Sequence, residues 1–210
     1  MLVGGNAASA TEANPHATSD SESAIGLAQS ATERLPADSA KKASKFTREQ
    51  QERVGKIIAD PDFGDPSSAD ALEKRYPEVE IVDTVSPEED SPGVSLQSHN
   101  ANTQATKNGT KSKSLKTEEK VLGVTYASIT TTMSYSKKDW RIKKINDCYG
   151  TIVNYIPLRQ IDKHNTHSIA KGHATCITNA SLARPAQKTV HGKHGFTVDG
   201  NDKIIKQWRG

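Results

Sequence analysis

Cys148 and Cys176 are the only cysteines in the 210-residue chain, and both lie among segments with strand-type alternation. A bridge between them closes a loop of 27 intervening residues. In chain-entropy terms such a staple contributes roughly 3.5 kcal/mol, a large share of a small domain's stability. The spacing is not that of a Cys-x-x-Cys redox pair, and no third cysteine exists to resolve a mixed disulfide. The pair therefore reads as a structural disulfide. Disulfides persist in oxidising compartments, so the expected location is secreted or cell surface.

The flanking sequence says what the staple holds. From about residue 120 the apolar period is two. Ala127, Ile129, Thr131, Met133 and Tyr135 alternate with Tyr126, Ser128, Thr130, Thr132 and Ser134, giving one apolar face and one hydroxyl face. Lys137-Lys138 reads as a turn, residues 139–145 as a second strand, and Asn146-Asp147 as the next bend. Residues 152–156 form a third strand stopped by Pro157, and 158–161 a short edge strand. Residues 174–182 form a fifth, and two or three more lie between 189 and 208, with Asp199-Gly200 as a hairpin turn. Six to eight short strands imply a mainly β chain with a small antiparallel β-sandwich, immunoglobulin-like or barrel-like, over residues 119–210.

The N-terminal half reads differently. Residues 1–10 look like the remnant of a secretory signal, ending in Ala8-Ser9-Ala10, with the true start further upstream. Residues 11–45 have no apolar period and are expected to form a disordered stalk. Residues 46–83 hold one or two short helices. Thr47 and Gln50 have capping-box spacing, Val54, Ile57 and Ile58 share a face, and a second helix runs from Ser67 to Tyr76. Each is too short to be stable alone. Residues 84–118 read as a disordered linker.

Charge divides the chain in the same place. Residues 111–210 carry 18 Lys and Arg against 7 Asp and Glu, a balance of +11, while residues 1–110 carry 10 against 18, a balance of −8. Cations interleave with aromatics around Trp140, so Lys137, Lys138, Arg141, Lys143 and Lys144 are the candidate contacts for an anionic polymer: cell-wall glycan, teichoic acid or nucleic acid. Lys203, Lys206 and Arg209 around Trp208 continue the pattern. The competing reading is an edge protected by solvated lysines.

Three chemistries compete with simple binding. His164, His167, His173 and Cys176 have the spacing of zinc ligands, but a strand beginning at His173 sends His173 and Cys176 to opposite faces, so no metal is expected. His191, Lys193 and His194 could supply acid, base and phosphate contact for a ribonuclease-type toxin, although no acidic partner orients either imidazole. There is no Gly-x-Ser-x-Gly elbow, phosphate loop or dinucleotide fingerprint. Asn108-Gly-Thr110 and Asn179-Ala-Ser181 are glycosylation sequons. No run is apolar enough to span a membrane, and no cofactor is implied. The preferred expectation is a non-enzymatic exported β-domain that binds an anionic partner; the alternative is the toxin.

Overall fold

A computed structural model describes residues 15–65, 68–86, 89–90, 108–185 and 189–209. The expected signal remnant at 1–10 lies outside them. Four helices come first: α1 (Pro15–Thr32), α2 (Ala37–Ala43), α3 (Arg48–Ala59) and α4 (Ala69–Arg75). Nine strands follow: β1 (Val79–Val85), β2 (Glu89–Asp90), β3 (Gly109–Val121), β4 (Val124–Lys138), β5 (Arg141–Asn154), β6 (Gln160–Ala170), β7 (His173–Ala183), β8 (Val190–Val198) and β9 (Ile204–Arg209). They make two antiparallel sheets. One has the order β1-β3-β4-β5, with β2 also on β3, and the other has the order β6-β7-β8-β9. From β3 to β9 every strand pairs with its sequence neighbour except across the β5–β6 break.

The helical region is larger than expected. Residues 15–43 of the presumed stalk and its boundary form α1 and α2 rather than disorder. The reason is a seam of small residues. Ala24, Ala28 and Ala31 are buried on one face of α1, and Gly55 of α3 comes so close that a Cβ there would lie 1.8 Å from Ala24 O. Helices packed through alanine and glycine show little apolar period in the sequence. The Thr47–Gln50 capping box forms as expected, and Lys56 pairs with Glu52 at 2.6 Å. Val54, Ile57, Ile58 and Leu72 then join Val79, Val121, Val124, Tyr126 and Ile156 in one core, which supplies the docking that such short helices need.

Within the first sheet β4 alternates as expected from Thr131 to Tyr135, but Tyr126, expected on the hydroxyl face, is buried against the helices while Ala127 and Ile129 of the expected apolar face are half-buried. Met133 and Tyr135 are buried, and the hydroxyl face bonds across to β3 through Ser114–Thr132 at 2.8 Å and Thr110–Ser136 at 3.1 Å. The β4–β5 turn falls at Asp139-Trp140 instead of Lys137-Lys138, with positive φ at both residues, as a two-residue hairpin requires. Leu122-Gly123 and Lys171-Gly172 make the same kind of turn. The two strands expected on either side of Asn146-Asp147 are one strand, β5, and Asn146 is absorbed as a bulge. The short edge strand expected at 158–161 is the 11-residue β6. Most of all, β1 and β3 occupy both ends of the expected 84–118 linker; the stretch between β2 and Asn108 lies outside the described residues. Strand β3 was hidden because its buried or inward-bonding positions include Lys111, Lys113, Thr117 and Glu119, which leave no apolar alternation.

Leu115, Met133, Tyr135 and Ile142 of the first sheet share a second core with Ala174, Cys176, Phe196 and Val198 of the other. Cys148 of β5 and Cys176 of β7 form the expected disulfide, Cα–Cα 5.7 Å, and so join the two sheets. Cys176→Ala is expected to cost about 2–5 kcal/mol, measured by urea unfolding without reductant. Gly55→Ala forces α3 away from α1 and is expected to cost about 1–3 kcal/mol in the same assay, because the contact is with backbone that cannot rotate aside.

Candidate functional site

Three hairpin tips meet at one end of the sheets. Ile142 N–H donates to Gly172 O at 3.0 Å, and a Cβ on Gly200 would lie 1.7 Å from Trp140 O. The β4–β5, β6–β7 and β8–β9 turns are therefore packed side by side. They bring Lys138, Arg141, Lys171 and Lys203 to one surface, all exposed, around Trp140 at 44% exposure. None of these four cations is in an ion pair among the described residues. Asp139 is exposed in the β4–β5 turn itself, whereas two other neighbouring acids are used internally. Asp199 accepts from the Asn201 and Lys203 amides at 2.9 Å, and buried Asp202 accepts from Lys137 and, at 3.0 Å, from Tyr135.

Lys137 therefore leaves the expected binding set. It is buried, it pairs with Asp202, it reaches Gly200 O at 3.2 Å, and its ammonium lies 5.5 Å from the Trp140 ring centroid. Lys138, Arg141, Lys143 and Lys144 are all exposed. Lys171, which sequence reasoning passed over, joins them because the β6–β7 turn folds against Arg141.

The histidines do not converge. His191 and Lys193 lie on the exposed face of β8, while His194 is 1% exposed between the sheets. A three-residue offset on a strand sends His191 and His194 to opposite faces, so they cannot share one phosphate. His194 has a structural part instead. Thr117 gives its one hydroxyl hydrogen to Asp83 Oδ1 at 2.6 Å, so His194 Nε2–H must donate to Thr117 Oγ1 at 3.0 Å. Thr131 then shares its one hydrogen between His194 Nδ1 at 2.8 Å and His194 O at 3.0 Å, and accepts from Thr178 at 2.8 Å. Arg209 completes the chain on Asp83. The zinc-spaced set fares likewise. His164 and His167 are exposed on β6 and Cys176 is in the disulfide; among the described residues no group of three His, Cys, Asp or Glu is placed to hold a metal.

Beyond His194, towards the helices, residues of both sheets line a pocket that opens to solvent. Ile81, Ile129, Ile152, Ile161, Leu182 and Val190 supply most of its wall, with Gly64 and Ala69 from the helical side. Glu119 and Arg159 also line it. Glu119 Oε2 and Arg159 Nε are sealed from water and have no hydrogen-bond partner. Arg159 is held through its other side, where Nη2 donates to Ile58 O at 3.1 Å and Phe63 O at 2.9 Å. Burial pushes the Glu119 carboxyl up to about 7, against the pull of Arg159 and Arg184, and draws the Arg159 guanidinium down to about 9. Neither residue was legible as a site. Glu119 stood at the first residue of the expected β-domain, ahead of its first expected strand, and Arg159 lay inside the expected short edge strand at 158–161.

The architecture is that of a disulfide-linked, two-sheet β-protein with a cationic end and an internal pocket. No protein-family model, no curated protein and no solved structure matches the chain.

The two buried titrating groups give opposite pH slopes. Burial holds His194 down to about 4 against about 6.5 unfolded, so its contribution is present above about pH 6.5 and is lost as pH falls towards 4, roughly 3 kcal/mol at most. Glu119 is raised, so its contribution is full below its unfolded value and is lost as pH rises through about 7. The two oppose each other between about pH 4.5 and 6.5. Urea midpoints measured from about pH 4 to 8 should show a steeper acid loss in Glu119→Gln than in wild type, and should lose that acid slope in His194→Gln.

Proposed function

We propose that the chain is a non-enzymatic exported protein whose two sheets stack as a small sandwich and whose hairpin end docks an anionic polymer at the cell surface. The neighbour-to-neighbour strand order favours a flattened, barrel-like arrangement over the immunoglobulin one, which needs Greek-key crossings. The observation that carries the binding reading is the hairpin surface. Lys138, Arg141, Lys171 and Lys203 stand unpaired around an exposed Trp140, while Asp199 and Asp202 beside them are turned to internal partners. Unpaired cations set on rigid turns lose little on meeting a polyanion and release its counterions when they do. An exposed indole among them suits stacking on a sugar or base. The disulfide supports an oxidising location. No described helix is long and apolar enough to cross a membrane.

The test is salt-dependent binding of the full chain to labelled oligothymidylate, heparin and teichoic acid, followed by fluorescence anisotropy. Log affinity is expected to fall linearly with log salt for at least one polymer. In the triple variant Lys138→Glu/Arg141→Glu/Lys171→Glu that slope should shrink by about 2–3, at roughly 0.7–0.9 per lost contact. Absence of binding to all three polymers at low salt, or wild-type binding by the triple variant, overturns the reading.

A further inference from the structure

The pocket between the sheets lies at the far end of the sheets from the hairpin surface and has its own chemistry. Its wall is mainly aliphatic, with Thr117, Ser128, Asn154, His194 and Arg209 among the lining, and two of its charged side chains carry buried unsatisfied atoms: an acceptor, Glu119 Oε2, and a donor, Arg159 Nε. No ion pair joins the two among the described residues. Leaving a buried donor and a buried acceptor without partners costs free energy that a ligand supplying both bonds would recover. Unsatisfied groups of opposite polarity in an apolar cavity are the usual mark of a ligand site, in which a few placed polar atoms orient an otherwise greasy molecule.

The pair also selects the ligand's charge. An anionic head would accept from Arg159 but would lie beside the Glu119 carboxylate. A cationic head would do the reverse. Either adds a further buried charge to a site where Arg159 and, once ionised, Glu119 already stand, and burying a charge is far costlier than burying a dipole. A neutral head that both donates and accepts serves both atoms with no added charge. We propose that this pocket binds a small neutral amphiphile, an aliphatic body carrying a hydroxyl or primary amide, whose hydrogen meets Glu119 Oε2 and whose oxygen meets Arg159 Nε. The aliphatic part lies against Ile129, Ile152 and Leu182.

The proposal is tested on the full chain with isoleucine methyl groups isotope-labelled for NMR, near neutral pH, using hexanamide, hexanol, hexanoate and hexylammonium as probes. The expected result is saturable shifts of the Ile129 and Ile152 methyls with hexanamide or hexanol, and binding at least about tenfold weaker for both charged probes. Ala180→Leu, which fills the pocket from β7, should abolish the shifts while leaving the circular dichroism unchanged. Glu119→Met, which keeps bulk and removes the acceptor, should reduce the preference for neutral over charged heads. Silence of both methyls with every probe shows a pocket that holds only water and overturns the proposal. Equal or tighter binding of a charged probe overturns the choice of a neutral ligand. Unchanged binding in a folded Ala180→Leu protein places the probe elsewhere and overturns the site.

Discussion

A single polar chain through His194, hydrogen bonds ended by an ion pair, ties together most of the strands in the two sheets. It runs from Thr178 through Thr131, His194 and Thr117 to Asp83 and on to Arg209, and so touches β7, β4, β8, β3, β1 and β9. Every hydroxyl in it has one hydrogen to give, so the direction is set from one end to the other. A register slip of one residue on any of these strands would turn its member outward and leave the remaining groups buried without partners. Hydrophobic contact between Met133, Phe196 and their neighbours supplies the larger part of the cohesion, but it is indifferent to direction. The polar chain selects one alignment of the two sheets, and the disulfide a few residues away pins it covalently.

On either side of that chain the interior is divided into two unlike compartments. Towards the hairpins, Lys113 and Lys137 gather on Asp202, so charge is buried but partnered. Towards the helices, Glu119 and Arg159 are buried with one atom each left open. The helical layer explains the second compartment. Gly64 and Ala69 reach the pocket with almost no side chain, and Arg159 is held on the carbonyls of Ile58 and Phe63. The helices thus cover one end of the sheet without filling the space beneath it.

The hairpin surface and the pocket obey opposite rules. At the hairpins charge is exposed, unpaired and long-range, suited to a polymer recognised by its charge density. In the pocket charge is hidden and short-range, suited to one small molecule recognised by the placement of a donor and an acceptor. The distance between them along β3 and β4 lets both exist in one small body without one field cancelling the other.

Strand β4, the capping box of α3 and the Cys148–Cys176 pair were legible in the sequence because each is a local pattern: alternation, a three-residue spacing, and the only two thiols present. The exposure of Lys138, Arg141, Lys143 and Lys144 was legible for the same reason, since long cationic side chains default to solvent. Tertiary structure decided the rest. Strand β3 forms although Lys113 and Glu119 face inward, because Asp202 waits for the first and the second borders a pocket, facts written 89 residues away in one case and nowhere local in the other. Helix α1 is ordered because Gly55 admits Ala24, a fit of backbones that hydropathy cannot express. Lys137 left the surface and His194 left the catalytic set through partners on other strands. Local chemistry placed β4, the α3 cap and the staple; only the packing of distant segments could determine that β3 and α1 form and which polar residues would find partners, and so which would be left to meet a ligand.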